Sequence, residues 1–98
     1  MDTSPIEMEE FSFNDTHFTF INQPYQFQVT LDESQQYFKI DEPTLNVYVF
    51  ATNREDLREE LIESLYADWV DIALADDNNL TEAAKKLKTT LRNMIRES

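Results

Sequence analysis

The residue types that could do chemistry are few. His17 is the only histidine. It stands beside Phe18 and Phe20 in a stretch that alternates like a strand, so it reads as an ordinary strand histidine, and no Ser-His-Asp arrangement is legible around it. Paired carboxylates occur at Glu9-Glu10, Asp32-Glu33, Asp41-Glu42, Glu59-Glu60 and Asp76-Asp77. A two-metal nuclease would need such groups to converge in a cleft; these fall mostly in turns and on the polar face of a helix, where they read as solvated charge. The run 76–79, Asp-Asp-Asn-Asn, lacks the alternating ligand spacing, central glycine and terminal bidentate glutamate of a calcium loop, and reads as a link between two helices. The chain has no cysteine, which excludes a thiolate zinc site and a cysteine nucleophile, and no glycine, which disfavours a phosphate-cradling loop. No catalytic residue, cofactor or metal site is expected.

What the sequence has in abundance is negative charge: 20 Asp plus Glu against 8 Lys plus Arg in 98 residues, a net charge of −12. Such a chain repels nucleic acid and an anionic membrane surface and attracts a cationic protein. The charge is uneven. Residues 54–77 carry nine acids and two bases, net −7, whereas 81–98 carry two acids and five bases, net +3. The densest acids, Glu55, Asp56, Glu59, Glu60 and Glu63, lie off the apolar stripe of Leu57, Leu61 and Leu65. They are the expected partner-binding residues, costing the fold little and facing a basic protein. The start of the chain has neither a basic opening nor an apolar run, and no segment approaches a membrane span, so a cytoplasmic location is expected.

The elements that must position these residues follow from two periodicities. All seven Phe and three of the four Tyr fall in 11–50, where apolar residues repeatedly alternate with period two, the signature of half-buried strands. Short strands are expected around Phe11 and Phe13 and over 16–21, joined by the turn-like pair Asn14-Asp15. The clearest strand carries Tyr25, Phe27, Val29 and Leu31, with a hairpin return over 37–40. Residues 47–51 carry apolar side chains on both faces and are read as a central strand. Thr52 and Glu55 have capping-box spacing, and Leu57, Leu61, Leu65, Trp69, Ile72 and Ala73 then recur at helical intervals. Trp69 and Tyr66 read as an aromatic stripe packed against the sheet. An Asn in 76–79 is the expected left-handed stop, and Thr81 is placed to cap a second helix with Ala84, Leu87, Leu91, Met94 and Ile95 on its apolar side. The expectation is one α+β domain, 1–98: residues 1–8 disordered, an antiparallel sheet of four to five strands over 11–51, a long helix over 53–75, and a second helix over 81–97, both helices on one face.

The segment 29–65, VTLDESQQYFKIDEPTLNVYVFATNREDLREELIESL, resembles the HicB-type antitoxin core. The likeness lies in a strand, an acidic turn, a short strand with an aromatic at Tyr37, a Pro-x-Leu connection at Pro43 and Leu45, a third strand, and Thr52-x-x-Glu55 opening a long helix. The segment 69–91, WVDIALADDNNLTEAAKKLKTTL, resembles the tail of small bacterial proteins that carry this core alone. The chain departs from the pattern where Gln36 and Asn46 stand in place of glycines. The resemblance implies a degenerate RNase-H-like sheet and a non-catalytic module that neutralises a small basic toxin or ribonuclease. Members often append a DNA-binding unit; the last 18 residues here hold one helix, so direct operator binding is not implied.

Two other functions fit an acidic chain of this size. An acidic nucleic-acid mimic would use the row Glu55, Asp56, Glu59, Glu60 and Glu63 as stand-in phosphates against a nuclease. An orphan homodimer would use its charge for solubility alone.

Overall fold

A two-residue turn starts the fold. In the computed structural model, which describes residues 2–98, Asn14 and Asp15 both take positive φ, 52° and 62°. This is the type I′ geometry whose twist suits a tight hairpin, and Asn and Asp tolerate it better than other non-glycine residues. It joins β2 (Glu10–Phe13) to β3 (Thr16–Phe20) with Phe13 opposite Thr16 and Phe11 opposite Phe18. Before this hairpin comes β1 (Ile6–Met8), and after it β4 (Tyr25–Phe27), β5 (Thr30–Leu31), β6 (Phe38–Glu42) and β7 (Val47–Ala51). Two helices follow, α1 (Arg54–Asp68) and α2 (Glu82–Met94), and the described chain closes with β8 (Ile95–Glu97). The fold is α+β with antiparallel strands.

The strands form three small sheets rather than one: β1–β4, β2–β3–β8 and β5–β6–β7. The single strand expected from Tyr25 to Leu31 keeps its alternation, with Phe27 and Val29 both buried, but changes partners midway, so β4 pairs with β1 and β5 with β6. Aromatic contacts run within the sheets and, through Phe20 and Tyr25, between two of them. Phe11 stacks on Phe18 at 4.8 Å, Phe20 stacks on Tyr25 at 5.3 Å, and Tyr25 meets Phe27 edge-on at 4.7 Å. Such pairs add to what their buried area contributes.

The segment expected to be disordered, 1–8, contains β1, because Ile6 and Met8 bury their side chains and Glu7 points outward, a period-two pattern too short to register in sequence; Met1 lies outside the described residues. The cap of α1 is Asn53, not Thr52: the Asp56 amide donates to Asn53 Oδ1 at 2.8 Å. Leu57, Leu61, Leu65 and Trp69 are buried as expected, and α1 lies against β7, β6 and β2. The long helix expected over 53–75 is α-helical only to Asp68; Trp69–Ala73 widens to a π-turn, in which the Leu74 amide donates to the Trp69 carbonyl at 3.0 Å. No residue of 76–79 is left-handed. A 3-10 turn, Asp77–Asn79, makes the link instead, and Thr81 caps α2 through the Ala84 amide at 3.2 Å.

The helix expected over 81–97 ends at Met94. Ile95–Glu97 turns extended and pairs with β3, Ile95 opposite Phe20 and Glu97 opposite Phe18. Burying Ile95 beside Phe20 outweighs another turn of helix whose remaining residues, Arg96 and Glu97, have nothing apolar to bury. Rather than sharing a sheet face with α1, α2 packs chiefly on the π-turn and on the 3-10 turn Pro43–Leu45. Its bases meet the end of the acidic helix through two main-chain carbonyls and one carboxylate: Arg92 donates to Ala73 O at 2.9 Å, and Lys88 to Ala75 O at 2.6 Å and Asp77 Oδ1 at 2.8 Å. Cations placed at a helix C-terminus satisfy carbonyls that lack intrahelical partners.

Candidate functional site

Four-residue spacing turns Leu57, Leu61 and Leu65 into one buried line, and the same spacing places the acids on the other side of α1. Glu55, Asp56, Glu59, Glu60 and Glu63 are all exposed, as expected from their positions off the apolar stripe. Glu55 and Asp56 sit in the first turn, where negative charge is favourable to the helix dipole, and Asp56 also accepts from Asn53 Nδ2 at 3.0 Å. Glu59 and Glu63 continue the line from Glu55, and Glu60 follows Asp56 at i+4. Like charges at these intervals weaken an isolated helix by roughly 0.2–0.5 kcal/mol per pair. Among the described residues, none of the five is in a salt bridge; of the two arginines of α1, Arg54 pairs with Asp2, and Arg58 lines a shallow surface pocket with Glu55.

This acidic face has an apolar border. Ser12, Phe13, Glu59, Glu60, Ile62 and Glu63 line an open groove of about 330 Å³ between β2 and α1. Phe13 is held there by Tyr66, whose ring lies 4.9 Å away, and Asn14 donates to the Tyr66 hydroxyl at 3.2 Å. The groove therefore combines three carboxylates with half-buried apolar carbon on a rigid hairpin and helix. It suits a cationic side chain with a long aliphatic stem.

The other titratable groups are dispersed. His17 Nδ1 lies 2.6 Å from Ser98 Oγ, and its Nε2 lies 3.6 Å from Glu10. The trio closes the β3–β8 edge. The His17 and Glu10 side chains are 42% and 66% exposed, so water surrounds the imidazole and nothing shields a reacting group. Asp32 is held below the usual carboxylate range by the Ser34 hydroxyl and then by the Tyr37 and Gln36 amides, which is a turn's internal bonding. Burial, then a 2.6 Å hydrogen bond to Glu42, pushes the Tyr25 phenol up. Among the described residues, no three of the paired carboxylates and the histidine converge on a point that could hold a metal ion, and no helix is long and apolar enough to cross a membrane.

Asp68 is the exception to this dispersal. Burial pushes its carboxyl up to about 6, against a hydrogen bond from Asn46 that favours the charged form, and neighbouring Asp71 adds to the rise. Asn46 Nδ2 donates to Oδ1 at 3.4 Å, while the buried Oδ2 has no partner. Asn46 is left-handed, φ 54°, and ends the 3-10 turn that begins at Pro43.

Sequence reasoning misplaced one strand. β7 is not a central strand: it pairs with β6 alone and forms the edge of its sheet. Its inward residues Val47 and Val49 are buried under α1, and its outward residues Tyr48 and Phe50 are 61% and 58% exposed. Apolar residues on both faces are the signal shared by a central strand and by an edge strand with an uncovered face. No family model, curated protein or solved structure matches the chain.

Proposed function

We propose that this chain is a non-catalytic, cytoplasmic protein-binding module that receives a small basic protein on the acidic face of α1, as its resemblance to the HicB-type antitoxin core suggests. The degenerate RNase-H-like sheet of that family is part of the same proposal. In this reading Glu55, Asp56, Glu59, Glu60 and Glu63 attract and hold cationic side chains, and the groove beside Phe13 accepts an aliphatic stem. A toxin ribonuclease so bound would have its RNA-binding charge covered, because the surface presented in its place repels phosphate.

The observation that carries the reading is the concentration of five exposed carboxylates on the face of α1 away from the core, none of them in a salt bridge among the described residues. The helix bears their mutual repulsion with two arginines, Arg54 and Arg58, against the five acids. A basic partner supplies the missing charge.

The test is affinity capture from the native host with the wild-type chain and with E59K/E60K/E63K in parallel, at low salt. A small basic protein held by the wild type and lost by the variant supports the reading, and inhibition of that protein's activity by the wild type completes it. Capture of a large nuclease would favour the nucleic-acid mimic. Equal capture by both chains would contradict any role for the acidic face.

A further inference from the structure

Edge strands are normally protected by brevity, charge, proline or a covering element, because their unpaired amides and carbonyls invite another strand. Most edges of this chain follow the rule. β5 has two residues, β1 has three and carries Glu7, β2 begins with Glu10, and β8 carries Arg96 and Glu97. β7 is different. It has five residues, Val-Tyr-Val-Phe-Ala, with no charge and no proline. Among the described residues, no hydrogen bond outside its pairing with β6 involves the 47–51 main chain. Its outer face is aromatic and continuous with that edge: Tyr48 meets Phe50 at 6.5 Å, and Phe50 meets Tyr37 at 6.0 Å.

We infer that β7 pairs antiparallel with β7 of a second copy of this chain, giving a twofold dimer with a continuous six-stranded sheet. The sequence of β7 is self-complementary about Val49. Antiparallel pairing there sets Val49 against Val49, Val47 against Ala51, and Tyr48 against Phe50, so the buried set meets the buried set and aromatic meets aromatic. β7 itself places no like charges at the seam. A chain of net −12 repels its own copy over most of its surface, and β7 is a five-residue edge without charge. On β6, Lys39 lies beside Phe50 and Asp41 beside Tyr48. Across the dimer each outer row then runs from Lys39 through Phe50 to Tyr48 and Asp41 of the second copy. An aromatic centre is flanked by opposite charges, and no like charges are opposed.

This dimer responds to salt in the sense opposite to the binding of a basic protein at α1. Screening relieves repulsion between two acidic copies, so dimerisation tightens as salt rises, whereas attraction of a cationic partner weakens. α1 packs on the inward face of β7, and Tyr48 and Phe50 lie on its outward face.

Sedimentation equilibrium of the full chain at low and high salt tests the inference. The expected result is a monomer–dimer equilibrium that shifts toward dimer with concentration and with salt. Y48K/F50K opposes like charges in the paired strand and should weaken dimerisation about tenfold or more. It does so while lowering the net negative charge, so a general relief of repulsion predicts the reverse. Y48E/F50E should be monomeric alone, and mixing the two variants should restore the dimer, which also shows that both retain the fold. A wild type that stays monomeric under all these conditions, or a dimer that Y48K/F50K leaves intact, would overturn it.

Discussion

The indole of Trp69 donates to Glu97 at 2.8 Å across 28 residues of sequence, tying the π-turn after α1 to the last strand. Arg92 lies over the same ring, 5.9 Å from its centre, and donates to the Ala73 carbonyl. One buried aromatic thus receives contacts from α2 and β8 and fixes both against the end of α1. Glu97→Ala removes the acceptor and leaves a largely buried indole N–H unpaired. It should destabilise β8 by about 1.5 kcal/mol, the lower end for a hydrogen bond to a charged group because Glu97 itself is exposed. Faster amide exchange confined to residues 95–97 would report it; unchanged exchange would mean that the strand pairing alone holds the terminus.

Leu61 is fully buried on the inward line of α1. Its truncation to alanine should cost about 2–5 kcal/mol, the range for buried leucines whose surroundings relax only in part. Chemical denaturation measures this directly, and a loss below about 0.5 kcal/mol would place a different face of α1 against the core.

The start of α1 separates two neighbouring residues. Asn53→Ala should lose about 1 kcal/mol, the usual worth of an N-cap side chain, and Thr52→Ala should lose only a few tenths. The same denaturation experiment compares them, and the reverse order would return the cap to Thr52.

Asp68 sets a pH dependence of unusual sign for a carboxylate. Its folded value of about 6 lies above the ordinary 3.8, so between these values the folded state binds more protons than the unfolded state. The contribution of Asp68 is therefore favourable below about pH 4 and is lost as pH rises through about 6. Because the side chain is only partly buried and water screens part of its charge, the loss is about 1 kcal/mol rather than the full value of the shift. Asp68→Asn should be more stable than the wild type at pH 7 and converge with it at low pH, as followed by thermal melts across this range. A wild-type advantage at pH 7 would show the charge to be satisfied.

Much of this architecture was legible because it is local. The alternation around Phe18 and Phe20, the Leu57–Leu61–Leu65 line and the Thr81 cap each depend on residues within a turn or two of one another, and the structure has them. The rest depends on distant partners. Nothing near Ile95 announces that it pairs with Phe20, so helical periodicity carried the second helix too far. The change of partners between β4 and β5, and the edge position of β7, are likewise decided by strands elsewhere in the chain. Exposure of the acidic residues was readable from helical spacing. The groove beside Phe13 was not, since the β2–β3 hairpin that forms its other wall is distant in sequence.

The acidic face of α1 as the docking surface for a basic protein is tested most directly by association kinetics with the partner captured from the host. Glu59, Glu60 and Glu63 are exposed and off the core, so E59K/E60K/E63K should keep the stability of the wild type within about 0.5 kcal/mol. At low ionic strength the wild-type association rate should exceed that of the variant by about tenfold or more and fall steeply as salt is added, with dissociation changed far less, because long-range attraction acts on encounter. Equal association rates for the two chains at low ionic strength would show that the partner docks elsewhere.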